Sequence, residues 1–198
     1  MEDQDITRLV RQAKQDIEAQ ERLFRLVEAE FRQRANHQLN REGQASLFAT
    51  DLVNEAFPKL INDPNLEIDN RFAFYRLASR VMRQILIDHA RKRMAEKRGG
   101  REQPVHLDQI DEPTQRKGLT PSTILAIHEA LESLTTESAV LAEVVELHCF
   151  GGFTLSEIAE SQGIHKDSVK RRWRLAKVYL QKHLGDLDEG KRRTRWSS

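Results

Sequence analysis

The chain is poor in several things, and each scarcity closes off a class of protein. It has one cysteine, Cys149, so no internal disulfide framework can form, which fits a reducing cytoplasm. Cys149 sits in the apolar run VVELHCF, the setting of a small buried hydrophobe rather than a nucleophile. No stretch approaches the roughly 18 consecutive apolar residues of a membrane span, which argues against membrane insertion. The N-terminal MEDQDITRLVRQAKQDIEA is acidic and amphipathic, without the basic start and apolar middle of a signal peptide. Strand-type alternation is absent. Signatures of catalysis are absent too: the seven histidines show no metal-ligand spacing, and there is no H-E-x-x-H, P-loop, dinucleotide fingerprint or serine elbow. His148 and Cys149 are adjacent, but neighbours on a helix face different directions. The expectation is therefore no enzyme, no cofactor and no metal.

What is present is helical periodicity, and it is richest in TLSEIAESQGIHKDSVKRRWRLAKVYLQKHL, residues 154–184. Val169, Trp173, Ala176, Leu180 and Leu184 form one apolar stripe. Lys170, Arg174, Lys177 and Gln181 recur on another face, with Lys166, Arg171 and Arg172 alongside. Leu155, Ile158 and Ala159 give the preceding helix its buried side, and Gly163 ends it as a left-handed cap. A short helix, a turn with glycine and a basic amphipathic helix predict a helix-turn-helix whose second helix enters a DNA major groove. The plainer reading is a basic surface helix of a bundle.

The net charge of +1 hides a segregation. Residues 71–101 carry ten Lys+Arg against Asp88 and Glu96, a balance of +8, and residues 166–183 carry seven against Asp167, a balance of +6. Between them, residues 124–165 hold seven Glu and no Lys or Arg. Two basic blocks imply two separate anion-facing surfaces. The acidic stretch reads most simply as a solvated face.

Periodicity over 5–40 predicts two helices or one broken one. Residues 49–61 predict another, capped by Thr50 or Asp51 and ended or kinked near Phe57 by Pro58. Residues 71–98 predict a long helix stopped by Gly99-Gly100. From 99 to 122 the pattern fails among Pro104, Pro113, Gly118 and Pro121, the composition of a flexible linker. Helix resumes at Ile124, and the polar tail 185–198 reads as frayed. The fold class expected is all-α, two helical domains joined by a flexible linker.

The helix from 71 combines Phe74, Ala78, Val81, Ile85 and Ala90 with a cationic stripe of Arg76, Arg80, Arg83 and Arg91. Arg71, Phe72, Phe74 and Tyr75 lie near its start. Rings beside arginines suit the capture of unstacked bases, although Phe74 reads better as core.

Three stretches carry a resemblance: DLVNEAFPKLI (51–61), RFAFYRLASRVMRQILIDHARKRMAEKRGG (71–100) and VVELHCFGGFTLSEIAESQGIHKDSVKRRWRLAKVYLQKHL (144–184). Together the chain resembles an ECF-type sigma factor of bacterial RNA polymerase, the compact sigma-70 group that keeps sigma domains 2 and 4. The resemblance implies domain 2 at 1–98, a linker at 99–122, domain 4 at 123–184 and a tail at 185–198. It implies binding to core RNA polymerase through Asp51, Leu52, Val53, Asn54, Glu55 and Phe57, some of which must be core because one helix cannot point them all outward. It assigns Asn70, Arg71, Phe72, Tyr75, Arg76, Ser79, Arg80 and Arg83 to the −10 element of promoter DNA. Lys166, Ser168, Lys170, Arg171, Arg174 and Lys177 go to the −35 element, as base or phosphate contacts. An anti-sigma factor is a further partner that the resemblance allows.

The chain departs from the family pattern at Pro58, at Arg80 and at His165, where a Ser or Asp cap is usual; the expectation is a cap at Asp167 or a later start. Asp108, Asp111 and Glu112 give the linker an acidity suited to a positively lined RNA path. Two rivals stand beside this reading. A stand-alone helix-turn-helix regulator would need a dimer interface and a ligand or phosphorylation site, and neither a receiver pattern nor an acidic acceptor cluster is evident. An interaction protein would use the acidic stretch to bind a basic partner.

Overall fold

The computed structural model describes residues 2–13, 15–39, 45–63, 68, 70–96 and 120–195, with side chains at 6–13, 15–32, 50–63, 68, 70–96 and 120–183. All regular structure among the described residues is helical, as the sequence predicts. Helices α1 (Glu2–Ala13) and α2 (Ile17–Leu39) follow in order, and Asp16 Oδ1 accepts the Glu18 N–H at 2.9 Å and caps α2. Helix α3 spans Ala45–Ile61. It begins before the expected cap, so Thr50 and Asp51 lie inside it. Pro58 does not end it either. Pro58 is exposed, so water can satisfy the carbonyl that its missing N–H leaves unbonded. The Pro58 carbonyl itself accepts from the Asn62 backbone N–H at 3.1 Å and the Asn62 side chain at 2.9 Å.

Helix α4 (Arg71–Glu96) starts on Asn70, whose Oδ1 accepts the Ala73 N–H at 2.9 Å. Residues 97–119, most of the expected linker and its acidic residues, lie outside the described set. Helix α5 (Pro121–Glu137) takes in Pro121 and Ser122, two residues assigned to the linker. Thr120 caps it and proline fills its first turn, where a missing N–H costs nothing. Helix α6 (Ala139–Val145) runs into a π-helical turn, Glu146–Phe150. Helices α7 (Leu155–Gln162) and α8 (Lys166–Arg195) complete the order. Helix α8 continues past Gly185 to Arg195, so the expected frayed tail is corrected to helix over most of its length.

The core is one continuous apolar cluster. Its first part joins Leu23, Val27 and Phe31 of α2 to Leu52 and Leu60 of α3 and to Phe74, Met82 and Ile85 of α4. Its second part joins Ile127 and Leu131 of α5 to Val144, Phe150, Ile158, Val169, Trp173 and Leu180. The two parts meet across α4, where Tyr75 packs edge-on against Phe153 with ring centroids 5.8 Å apart. Acidic residues of the second part line this seam, so the acidic stretch is not simply the solvated face that its composition implies.

Candidate nucleic-acid and polymerase interfaces

The helix-turn-helix is fixed at each of its joints. Thr154 and Glu157 form a reciprocal capping box: Thr154 Oγ1 accepts the Glu157 N–H at 3.2 Å, and Glu157 Oε2 accepts the Thr154 N–H at 2.7 Å. Gly163 closes α7 at φ 63°, a left-handed conformation that favours glycine. His165 then caps α8, its Nδ1 accepting the Asp167 N–H at 3.3 Å. The expected cap at Asp167 is thus corrected. An imidazole nitrogen does what a Ser or Asp oxygen does elsewhere.

Val169, Trp173, Ala176 and Leu180 are buried and seat α8 on its neighbours. His148 anchors the seat: Nδ1 lies 2.6 Å from the Phe153 carbonyl, and the ring meets Trp173 edge-on at 4.6 Å. The residues between face out. Lys166, Lys170, Arg171 and Arg174 are exposed, while Ser168 and Lys177 are half-buried beside them. Arg172 turns inward, its Nη1 donating to Gln162 Oε1 at 3.1 Å and tying α8 to α7.

A family model described as ECF sigma factor matches residues 3–186. The chain belongs to the ECF sigma factor family. It is a sigma factor that directs promoter-specific transcription initiation, with RNA polymerase and promoter DNA as partners. No curated protein matches the chain. Among the described residues no helix is long and apolar enough to cross a membrane, and no group of three or more His, Cys, Asp or Glu is placed to hold a metal.

On α3 the sigma factor divides its six expected polymerase-binding residues between two sides. Leu52, Val53 and Phe57 are buried, and Phe57 meets Phe24 edge-on at 4.9 Å. Asp51 and Asn54 are exposed and Glu55 half-buried, so the outward side is polar. Lys59 Nζ donates to Glu55 at 2.8 Å, and this bond holds the Glu55 carboxyl below its ordinary pKa range. His89 Nε2 lies 3.2 Å from the same carboxylate, linking α3 to α4.

The eight residues expected at the −10 element do not share one exposed surface. Asn70, Arg76 and Arg80 are exposed; Arg71, Phe72 and Arg83 are half-buried; Tyr75 and Ser79 are buried. Arg71 and the Tyr75 hydroxyl both bond Glu30 of α2, and the guanidinium sits over the Tyr75 ring at 5.4 Å. Burial, with the Glu30 carboxylate beside it, drives the Tyr75 phenol pKa well upward. Ser79 Oγ donates to the Tyr75 carbonyl at 2.8 Å.

The cations of α4 meet carboxylates from the second half of the chain. Arg76 Nη1 lies 3.3 Å from Glu143, and Arg83 Nη1 lies 2.8 Å from Glu132. Arg83 Nε lies 3.0 Å from Glu146 Oε1, close enough for an ion pair. Its N–H does not aim there, and Glu146 Oε1 has no hydrogen bond. Burial pushes the Glu146 carboxyl pKa up, outweighing the arginines that pull it down. Arg83 Nη1 also approaches His128 Nδ1 at 3.4 Å, and burial followed by that charge lowers the His128 pKa. Glu132, Glu143 and Glu146 were not marked as functional by the sequence, although the run without Lys or Arg was the available signal.

Proposed function

We propose that this sigma factor acts by binding alone, within the cytoplasm, through three surfaces. The outward side of α3, with Asp51, Asn54 and Glu55, docks on core polymerase, while Leu52, Val53 and Phe57 hold that helix on the core. The α8 row of Lys166, Lys170, Arg171 and Arg174, flanked by Ser168 and Lys177, grips the −35 duplex. The α4 face, with Asn70, Arg71, Phe72, Tyr75, Arg76, Ser79, Arg80 and Arg83, holds the opened −10 strand.

One observation carries the reading: α8 buries Val169, Trp173, Ala176 and Leu180 and leaves a cationic row exposed at the same spacing. A helix seated on one side and charged on the other is built to enter a groove. At the −10 element, opening a base-pair step costs about 1.4 kcal/mol. Stacking contributes about 1–3 kcal/mol per captured base, enough to offset the nucleating step. An anti-sigma partner rests on family resemblance alone.

Run-off transcription with core polymerase on a genomic fragment library tests the reading and supplies a promoter. On that promoter, Lys170→Ala or Arg174→Ala at a phosphate contact lowers the slope of log affinity against log salt by about 1. At a base contact, either substitution relaxes sequence preference by about 1–3 kcal/mol instead. Wild-type binding and salt dependence in both variants would remove α8 from the interface.

A further inference from the structure

Among the side chains that α8 turns outward, one has the wrong sign for a phosphate. Residues 166–183 carry seven Lys+Arg and a single acid, Asp167. At 3.6 residues per turn, Asp167, Arg171 and Arg174 fall on the side of the helix away from the buried Val169, Trp173, Ala176 and Leu180. Asp167 therefore stands in one row with two of the cations assigned to the groove. It lies in the first turn, where a recognition helix meets base edges.

The fold does not commit this carboxylate to a partner. An aspartate at a helix start commonly caps the helix, but here the cap is His165, whose Nδ1 accepts the Asp167 N–H at 3.3 Å. The nitrogen that accepts there has no proton to give Asp167 Oδ2, 3.4 Å away. Lys170 Nζ lies 3.8 Å from Oδ1. The Asp167 side chain is 74% exposed, and ion contacts this long and this wet contribute little. The positive end of the helix dipole favours a carboxylate here without fixing what it bonds.

In a major groove the choice of partner is narrow. Phosphates repel a carboxylate. On the base edges, guanine and thymine offer acceptors, and the donors are the amino groups of cytosine N4 and adenine N6. Adenine N6 stands beside the N7 acceptor, which repels a carboxylate, whereas cytosine presents N4 with no acceptor of its own. We propose that Asp167 is a specificity-determining residue of this sigma factor: its carboxylate accepts from the N4 amino group of one cytosine in the −35 element. The inference deepens the assignment of α8 to the −35 duplex made above and rests on it. Asp167 weakens attraction to every DNA backbone and offsets that loss at one base alone. Specificity gained in this way penalises all other sequences.

The test uses the full chain bound to core polymerase, on a promoter obtained by run-off transcription and randomised at each −35 position. Binding selection compares wild type with Asp167→Ala and Asp167→Asn. Wild type should favour cytosine at one position by about tenfold, equivalent to about 1.4 kcal/mol. Asp167→Ala should abolish that preference and leave the others in place. Asp167→Asn should move it from cytosine to adenine, since an amide pairs with N6 and N7 together. A preference is a ratio taken on one protein, so a smaller folded fraction in a variant does not alter it. If Asp167→Ala binds all duplexes more tightly but keeps the wild-type preferences, the carboxylate only repels phosphate. If it lowers Tm and keeps those preferences, the carboxylate only serves the helix. Either result, or a wild type without a cytosine preference, would overturn the proposal. Lys170→Ala and Arg174→Ala, measured alongside, separate the two readings. Should they weaken binding while the Asp167 variants keep every preference, α8 is in the groove and the role of Asp167 alone fails. Should none of the four variants change binding or preference, the −35 assignment fails with it.

Discussion

Gly151→Ala is the sharpest probe of how the two halves of the sigma factor meet. Gly151 has φ −81° and ψ −15°, a backbone that any residue adopts, so its requirement is space and not conformation. An added Cβ would lie 2.2 Å from Ser79 Oγ, 2.7 Å from the Leu147 carbonyl oxygen and 2.9 Å from Phe153 Cδ2. Overpacking of this kind costs about 1–3 kcal/mol. For a chain of this size each kcal/mol lowers Tm by about 2–4 °C, so the expected loss is about 2–12 °C. Two of the three clashes are local to the π-helical turn; the one with Ser79 crosses to α4. Ser79→Ala removes the clashing oxygen together with its bond to the Tyr75 carbonyl, which costs about 0.5–1.5 kcal/mol alone. In the double variant that oxygen is no longer in the way, and urea unfolding should show the two changes coupling favourably by at least about 0.5 kcal/mol. Strict additivity, within about 0.3 kcal/mol, would mean that Gly151 and Ser79 do not touch in solution and that α4 is not covered.

Three further outcomes follow from the geometry. Trp173→Ala should cost about 3–5 kcal/mol in urea unfolding, because it empties the seat of α8 and strips His148 of its aromatic contact. Thr154→Ala should cost about 1 kcal/mol by loss of the capping box, a change measurable as a lower Tm without loss of helix content. His128 has a lowered pKa in the fold, so the fold favours its neutral form; stability is intact above the ordinary imidazole value of 6.5 and falls as pH drops through the window below it. Glu146, with a raised pKa, acts in the opposite sense, losing stability as pH rises from 4.5. Comparison of Tm against pH for wild type and His128→Gln isolates the imidazole: the acid-side loss should shrink in the variant, and an unchanged profile would contradict the burial of His128.

Local features were the most legible in the chain. The apolar stripe of α8 and the glycine that ends α7 follow from spacing and turn chemistry within a few residues, whereas periodicity over 5–40 leaves two helices or one broken one open. The misreadings are local signals outweighed by their surroundings. Pro58 is expected to end or kink α3 near Phe57, yet the helix runs on to Ile61, and Pro58 lies on the water side, where a missing hydrogen bond is tolerated. His165 was not read as a cap because imidazole seldom serves as one, and its acceptor role depends on the tautomer. Non-local contacts left the least trace. Glu30 meets Arg71 and Tyr75 across more than forty residues. The meeting of Glu143 with Arg76 spans 67 positions. Segregated charge was visible in the composition, but which basic block would take the acidic one is a matter of tertiary geometry that periodicity does not encode.

Helix α8 has a mechanical consequence of its own. Its 30 residues make a rod about 45 Å long at 1.5 Å per residue. The cations assigned to the groove cluster toward one end, so a small tilt of the inserted turns swings the far end through a much larger arc. A spectroscopic label near Arg195 would act as a pointer, turning the angle of docking on duplex into a distance that can be measured.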